Sequence, residues 1–311
     1  MNDMNPSVSH PDESEFRLPR IALMGEFSAG KSTLANLMIG SEYLPVQVVA
    51  TQLPPVWITW GDSKPVLVHP DGTEMPCDLS RPENIDLDET AYIRVFCEEE
   101  ILKHCEIIDL PGISDPNMSS AVWERMLPLA DGVIWCSPAT QAWRQSEAAV
   151  WQTVPQEKYA SSILLLTRAD MLVRERDRER VLRRVRAETD ELFAETFLIS
   201  LLLARDSGED EAIWEKSGAE PFVMRFLDIV EALKEQIADR EETSDQVPLP
   251  VFENADQNAS SQMVSPVGRP EADTDGAIVP RRPKARVRKR PRSSEPSVEE
   301  EDDLSFAPKF S

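Results

Sequence analysis

The sequence predicts a three-layer α/β domain with a mainly parallel sheet, followed by a disordered tail. Over residues 17–242, short apolar runs alternate with amphipathic stretches, which is the pattern of a sheet covered by helices. Over residues 243–311 this pattern stops, and Pro, Ser, Asp, Asn and Gln dominate the sequence, as is typical of disorder. Residues 1–16 are rich in Asn, Ser, Pro and Asp and predict a flexible leader.

Apolar runs of strand length predict the strands of the sheet. They are Arg20–Met24, Pro55–Trp60, Tyr92–Cys97, Cys105–Asp109, Gly132–Cys136, Ile163–Thr167 and Phe197–Leu201. In addition, Lys64–His69 and Thr73–Cys77 flank Asp71-Gly72, a pair that favours a tight turn. These two segments therefore predict a hairpin inserted in the first half of the domain.

Apolar residues at helical spacing predict three main helices. The first, Thr33–Met38, directly follows a glycine-containing loop. The second, Met171–Phe197, is densely charged with one apolar stripe, and we expect its arginine-rich face to be solvated and not to bind an acidic partner. The third, Glu220–Arg240, carries a longer apolar stripe that is typical of a helix packed on a core.

Composition excludes several classes of protein. Hydrophobic residues make up 41% of the 311 residues, which is enough for a core. The four cysteines have neither paired nor metal-ligand spacing, which indicates a reduced, cytoplasmic protein without a zinc site. The acidic start is not a signal peptide, and the longest apolar stretch, 197–204, is too short to span a bilayer.

The charge of the chain is unevenly distributed. The net charge is −23, and residues 246–311 contain 10 Lys and Arg against 11 Asp and Glu, which leaves −22 for residues 1–245. Such an acidic body should repel nucleic acid, and we expect no nucleic-acid binding. Within the tail, a basic block at 280–292 precedes an acidic block at 299–303, and the basic block could give peripheral contact with an anionic membrane or dock a protein.

A glycine-rich loop lies between the first strand and the first helix. It reads G-x-x-x-x-G-K-S over Gly25, Glu26, Phe27, Ser28, Ala29, Gly30, Lys31 and Ser32, and Thr33 follows it as a further candidate nucleotide-binding residue. In a strand–loop–helix context, the successive N–H groups of such a loop wrap the phosphates of a nucleotide, and the helix N-terminus adds positive partial charge. Lys31 would reach the β- and γ-phosphates, and the Ser32 hydroxyl would bind Mg²⁺.

A second loop follows the apolar strand that ends at Asp109. Asp109-Leu110-Pro111-Gly112 reads D-x-P-G, and an aspartate at a strand end can hold Mg²⁺ through a water molecule. The N–H of Gly112 can then sense the γ-phosphate. Thr51, between the first helix and the next strand, is placed to complete the Mg²⁺ ligands and to contact the γ-phosphate.

A third group of residues indicates which base is bound. Guanine presents two adjacent donors on its edge, and one carboxylate can accept both, whereas adenine cannot satisfy it. Asp170 follows a strand in Thr167-Arg168-Ala169-Asp170 and is placed for this role, with the stem of Arg168 over the base and Thr167 bracing the loop. Ser200, near the end of the last predicted strand, could line the same pocket.

These elements, in this order, resemble the dynamin-like GTPases, particularly the bacterial members. The loop and helix over 25–36 carry most of the resemblance, and Thr51 before Pro54-Pro55, Asp109 to Gly112, and the Thr-x-x-Asp form at 167–170 extend it. The resemblance covers residues 17–242 and implies a P-loop GTPase domain that binds GTP or GDP with Mg²⁺ as cofactor. It also implies that Ser28 supports the transition state together with Lys31, Thr51 and Gly112.

The chain departs from related enzymes at two catalytic positions. Ras-like enzymes orient the attacking water with a Gln after D-x-x-G, where this chain has Ile113, and classical dynamins carry a Gln where this chain has Phe27. We therefore expect slow intrinsic turnover unless a partner, or a homodimer across the nucleotide, completes the site. Because a predicted tail stands where dynamin-like proteins have a helical stalk, a stalk-bearing partner protein could supply contact with the inner face of the membrane.

Three functions stay open at this point. The first is a GTPase of low intrinsic rate, the second a nucleotide-dependent switch or scaffold with negligible hydrolysis, and the third a protein that binds ATP in place of GTP. The intact set of Lys31, Ser32, Thr51 and Asp109 favours the first. Asp170 argues against ATP.

Overall fold

The structure is a computed structural model that describes residues 16–40, 53–81, 85–87, 89–114 and 121–243. Thr51 lies outside the described residues. So do residues 1–15 of the predicted leader and residues 244–311 of the predicted tail. The predicted domain boundaries, near 16 and 242, therefore stay predictions.

Nine strands form a single sheet in the part of the chain that the structure describes. They are β1 (Arg20–Gly25), β2 (Val56–Trp60), β3 (Val66–Val68), β4 (Glu74–Pro76), β5 (Tyr92–Cys97), β6 (Glu106–Asp109), β7 (Gly132–Pro138), β8 (Ile163–Thr167) and β9 (Glu195–Leu198). Their order across the sheet is β4-β3-β5-β2-β6-β1-β7-β8-β9. Five neighbouring pairs are parallel and three are antiparallel, which confirms the mainly parallel sheet.

Apart from the pairs that involve the short strand β3, the direction of the described strands changes once, between β2 and β6. β1 is parallel to both of its neighbours, β6 and β7, and β7 to β9 continue in the same direction. β2 is antiparallel to β6, and β5 is parallel to β2. The carboxyl ends of β2 and β5 therefore lie at the edge of the sheet opposite to the carboxyl ends of β1, β6, β7 and β8.

The predicted hairpin is confirmed. β3 and β4 pair antiparallel, with Val66 opposite Pro76 and Val68 opposite Glu74. Between them, Gly72 has φ +84°, and the Thr73 N–H donates to Asp71 Oδ1 at 2.9 Å. A glycine is needed here because few other residues adopt this left-handed conformation without strain. The hairpin extends the sheet beyond β5.

Helices cover both faces of the sheet. They are α1 (Lys31–Ile39), α2 (Ala121–Met126), α3 (Gln145–Trp151), α4 (Glu175–Glu188), α5 (Leu201–Asp206), α6 (Glu211–Ser217) and α7 (Ala219–Thr243). One core contains residues of α1, α5 and α7, and the other contains residues of α2, α3 and α4. Among the described helices, none combines the length and the apolar composition that crossing a bilayer requires.

The strand β1 shows how one segment serves both cores. Ile21 and Leu23 belong to the core under α1 and α7, whereas Ala22 and Met24 belong to the core under α2 and α3. Successive side chains of a strand point to opposite faces, and all four are fully or almost fully buried. A strand that is buried on both faces is a continuous apolar run, and residues 21–24 show this pattern in the sequence.

The prediction of one helix over Met171–Phe197 is wrong. The helix α4 occupies only Glu175–Glu188, and its last turn closes with the Thr189 N–H and hydroxyl both donating to Val185 O. Glu191 then has φ +62°, and the chain reverses into β9. The charged composition that predicted a helix contains no glycine or proline here, so the turn left no signal in the sequence.

The last predicted strand is shifted. β9 ends at Leu198 and not at Leu201, because Ser200 begins a helix in place of extending the strand. The Ser200 hydroxyl accepts a hydrogen bond from the Leu203 N–H at 3.3 Å, which is the pattern of a helix N-cap. The apolar stretch 197–204 is therefore part strand and part helix.

Asp131 attaches the segment before β1 to the start of β7. Its carboxylate accepts two hydrogen bonds from the Arg17 guanidinium, at 2.7 and 2.8 Å, and one from the Arg20 N–H at 2.9 Å. Burial raises the pKa of this carboxyl, but the hydrogen bonds and charges of Arg17 and Arg20 outweigh it, so the net pKa of Asp131 is lowered. The ionised carboxylate thus stabilises the fold.

We predict that Asp131→Asn lowers the free energy of unfolding by about 1–2 kcal/mol at neutral pH. A carboxyl whose pKa is lowered on folding contributes stability above its unfolded pKa, and this contribution is lost as the pH falls through the folded pKa. The difference between the variant and the natural chain should therefore shrink below about pH 4. Urea unfolding at a series of pH values measures this.

The matched control is Asp62→Asn, which changes an exposed aspartate just after β2. It should change the free energy of unfolding by less than about 0.5 kcal/mol. A loss for Asp131→Asn that is the same at pH 3 and pH 7 would contradict the role of the ionised carboxylate.

Candidate functional site

Three loops meet at one edge of the sheet. Gly25, Asp109 and Thr167 are the last residues of β1, β6 and β8. Since β6, β1, β7 and β8 are parallel, their carboxyl ends lie at the same edge. The glycine-rich loop, the D-x-P-G loop and the Thr-x-x-Asp loop all begin there. Ligands of open α/β sheets bind at this edge.

The glycine-rich loop, residues 25–32, is fixed where it leaves β1. Gly25 has φ +138°, and a Cβ atom at this position would lie 2.1 Å from the carbonyl oxygen of Cys136 on β7. Any other residue is therefore excluded on both conformational and steric grounds. Gly30 has φ +97°, and a Cβ atom there would lie 3.1 Å from Leu201 Cδ1. The two glycines thus set the path of the loop from β1 into α1.

Lys31 points back along the inside of the loop. Its side chain is only 7% exposed, and its ammonium donates to the carbonyl oxygens of Gly25, at 3.3 Å, and Glu26, at 3.0 Å. Behind the loop, burial raises the pKa of Cys136 to about 12, so this thiol is neutral beside the lysine. The arrangement holds one buried positive charge within reach of the loop amides.

The structure brings Ser32 and Asp109 together. The Ser32 hydroxyl donates to Asp109 Oδ2 at 2.8 Å, and Asp109 is only 8% exposed. A hydroxyl and a carboxylate are hard oxygen donors of the kind that Mg²⁺ prefers. The two residues therefore fit the predicted cofactor, whereas Thr51 lies outside the described residues.

The segment 110–114, which continues the D-x-P-G loop, lies directly on the glycine-rich loop. A Cβ atom at Gly112 would lie 2.7 Å from both the N and the Cα of Phe27. The Ile113 N–H donates to Gly25 O at 3.1 Å, and the Ser114 hydroxyl accepts from the Phe27 N–H, also at 3.1 Å. Sequence reasoning placed Gly112 near the phosphates but gave Ser114 no role.

The Thr-x-x-Asp loop is bonded to the glycine-rich loop by two contacts. The buried Thr167 hydroxyl donates to Ala29 O at 2.7 Å. The Arg168 guanidinium donates to Ser28 O at 2.5 Å, and both Arg168 and Ser28 have φ +58°. The arginine stem therefore spans the gap between the two loops.

Asp170 and Ser200 form a pair beside this gap. The Ser200 hydroxyl, in a residue only 1% exposed, donates to Asp170 Oδ1 at 2.7 Å. The Ala169 N–H donates to Ile199 O at 3.0 Å, so the backbones of the two segments are also joined. Ser200 thus orients the carboxylate of Asp170 while it caps α5.

Sequence reasoning missed a network behind the glycine-rich loop. Glu26 accepts hydrogen bonds from Ser146, at 2.8 Å, and from the Arg144 guanidinium, at 3.3 Å. Glu147, which follows Ser146, is fully buried. Its carboxylate accepts hydrogen bonds from the Ser137 hydroxyl, the Arg144 N–H and the Trp135 indole. A polar Ser137 within an otherwise apolar strand is the one signal that could have indicated it.

Residues 21–169, a little under half of the chain, match the sequence model of the Dynamin family. Dynamin-like protein 2 of Campylobacter jejuni is 25% identical over 203 residues, which are 63% of this chain and 32% of that protein. A probable transmembrane GTPase FZO-like of Arabidopsis chloroplasts is 26% identical over 178 residues, or 55% of this chain and 17% of that protein. The chain thus spans a third or less of these relatives.

The fold is also similar to that of a solved bacterial dynamin. The structure of an oligomerised bacterial dynamin pair, described as sensing and tethering membranes, superposes with a TM-score of 0.52 at 19% identity. The match covers 72% of this chain and 37% of that one. Residues 21–169 are thus similar in sequence to the Dynamin family, and the fold is similar to that of a solved bacterial dynamin.

Proposed function

We propose that the chain binds GTP and GDP with Mg²⁺ and hydrolyses GTP to GDP and phosphate. The observation that carries this proposal is the pair of hydrogen bonds from Thr167 and Arg168 to the carbonyls of Ala29 and Ser28. Because of them, the loop that would hold phosphates and the carboxylate that would read a base belong to one site. The family match favours the same function.

The glycine-rich loop would hold the triphosphate. Its backbone N–H groups and the N-terminus of α1 provide donors and positive partial charge for phosphate oxygens. Lys31 is already inside the loop, bonded to two of its carbonyls, and a phosphate would replace these weak acceptors with charged ones. Charge that develops on the γ-phosphate during attack by water would be stabilised by Lys31, Thr51 and the N–H of Gly112.

Mg²⁺ would be held by Ser32, Thr51 and Asp109. The hydroxyl and carboxylate of Ser32 and Asp109 are within 2.8 Å of each other in the structure, and both offer oxygen atoms. When bound, the ion supplies a positive charge that neutralises the β- and γ-phosphate oxygens. The place of Thr51 in this set rests on its position in the sequence.

Guanine would be selected by Asp170. Its carboxylate can accept from both donors on the guanine edge, and the hydrogen bond from Ser200 holds one of its oxygens in place. Adenine offers no matching pair of donors, so binding it would leave the carboxylate unsatisfied. The stem of Arg168, which spans the gap to Ser28, would cover the ring.

Hydrolysis would be slow without help. At the position where Ras-like enzymes carry a Gln, the side chain is Ile113, which is partly buried against the core of α2 and α3. It cannot orient water. The same observation favours the second candidate function, a switch that binds nucleotide but hardly hydrolyses it.

A second copy of the chain could complete the site if it faced the edge of the sheet at which the three loops meet. Apolar side chains are exposed around this edge: Phe27 in the glycine-rich loop is 66% exposed, and Met171 and Val173, just after Asp170, are 62% and 91% exposed. Their burial between two copies would favour a homodimer across the nucleotide. A solved neighbour is described as an oligomerised dynamin pair.

Two similar proteins favour a role at a membrane. One relative is named a transmembrane GTPase, and a solved neighbour is described as tethering membranes. This chain would act in the cytoplasm and contact the inner face of the membrane through the basic block 280–292 or through a stalk-bearing partner. The block lies outside the described residues.

We predict that calorimetric titration with Mg²⁺ will show binding of GTP and GDP and at least tenfold weaker binding of ATP. Lys31→Ala should weaken binding of all nucleotides, since it removes a charge from the phosphates. Asp170→Ala should weaken guanine nucleotides by about 10- to 100-fold, because each lost hydrogen bond to a charged group contributes about 1.5–3 kcal/mol.

Ser200→Ala is the informative control in this series. It keeps the glycine-rich loop and the Asp170 carboxylate but removes the hydrogen bond that orients this carboxylate. It should therefore reduce the preference for GTP over ATP less than Asp170→Ala does. ATP binding as tight as GTP binding would refute the assignment of the base.

We further predict that phosphate release per molecule rises as the protein concentration rises, because a second copy completes the site. The measurement follows phosphate release from GTP over a range of protein concentrations, with and without anionic liposomes. Phe27→Ser removes an exposed side chain from the interface and should flatten this dependence. Release that stays at background at every concentration would favour the switch.

A further inference from the structure

One amide of the glycine-rich loop is already engaged by a side chain. The Phe27 N–H donates to the Ser114 hydroxyl at 3.1 Å. The donor belongs to the loop that would hold the phosphates, and the acceptor lies two residues after Gly112. Both Phe27 and Ser114 are exposed, so the bond lies at the open side of the site.

The position of this amide relates it to the terminal phosphate. Gly112, whose N–H would sense the γ-phosphate, approaches Phe27 so closely that a Cβ atom would be 2.7 Å from the Phe27 nitrogen. Phe27 is therefore the loop residue beside the phosphate-sensing glycine. An N–H group makes one strong hydrogen bond, so a phosphate oxygen that takes the Phe27 amide must displace the Ser114 hydroxyl.

The same segment has a second attachment to the loop. The Ile113 N–H donates to Gly25 O at 3.1 Å, one residue before Ser114. This bond does not involve a loop donor, so a phosphate can bind without breaking it. The Ser114 hydroxyl and a phosphate oxygen would thus compete for the same donor, the Phe27 N–H.

We propose that Ser114 is a positioning residue that competes with the γ-phosphate for the Phe27 amide and so shifts the nucleotide preference toward GDP. This inference rests on the proposed function and concerns the regulation of the same site. GDP lacks the γ-phosphate and leaves the bond to Ser114 intact. GTP gains its contact with the amide only after this bond is lost.

The test compares Ser114→Ala with Ser114→Thr in the full chain. Alanine removes the acceptor, whereas threonine keeps a hydroxyl at the same place. Binding of GDP and of a GTP analogue with a β,γ-imido bridge is measured by calorimetry in MgCl₂. Ser114→Ala should increase the affinity for the analogue relative to GDP by about 2- to 10-fold, the range that one neutral hydrogen bond provides.

A second measurement reports on the amide itself. Labelling with ¹⁵N-phenylalanine gives signals for only ten residues, of which Phe27 is one. Without nucleotide, hydrogen exchange of the Phe27 amide should be several-fold faster in Ser114→Ala than in the natural chain, and unchanged in Ser114→Thr. A general loss of stability would instead accelerate exchange at the buried phenylalanines, such as Phe222 and Phe226.

The outcomes separate this inference from the proposed function. If the natural chain binds neither nucleotide, both fall together. If it binds both, but Ser114→Ala leaves the ratio of the two affinities and the exchange of Phe27 unchanged, only the role of Ser114 is wrong. Ser114→Thr behaving like Ser114→Ala would also overturn it, because the hydroxyl would then have no part in the effect.

Discussion

The site depends on one steric constraint, the contact between Gly25 and the carbonyl oxygen of Cys136. Because Gly25 has no side chain, it can lie close to β7 and adopt φ +138°. At this residue the backbone of β1 leaves the sheet and turns into the glycine-rich loop. The loop therefore starts from a position fixed by two central strands. Its later contacts, from Lys31 and from Thr167, only maintain a path that begins at this glycine.

The glycine-rich loop is held from three sides. Segment 110–114 lies on one side, the Thr-x-x-Asp loop on a second, and the start of α3 contacts Glu26 on a third. The third contact is itself rigid, because the fully buried Glu147 ties α3 to β7 through two donors, Trp135 and Ser137, and also accepts from the Arg144 N–H at the start of α3. A loop held in this way would lose little conformational entropy on binding the phosphates of the proposed nucleotide, which is the advantage of preorganisation.

Sequence patterns are informative where a local requirement alone determines the residue type. Local pattern indicated the glycines of the glycine-rich loop, the apolar central strands, and the position of Asp109 and Asp170 at or just after strand ends. Sequence patterns failed where a feature depends on residues distant in the chain. The helix α4 ends at Glu188 because the chain must return to the sheet, and Glu26 holds the glycine-rich loop only because α3 folds against it. The role of Ser114 is likewise invisible without its partner, since serine after a turn has no specific meaning.

The reversal of β2 and β5 within the sheet separates the two more accessible thiols, Cys77 and Cys97, from the edge at which the glycine-rich loop lies. Cys97 ends β5 beside Trp60, and Cys77 follows β4 with its N–H donating to Pro65 O, so both lie toward the opposite edge. Cys105 and Cys136 are buried, whereas these two are half-buried. A thiol-directed dye or spin label would therefore attach at the far side of the sheet and leave the glycine-rich loop chemically intact.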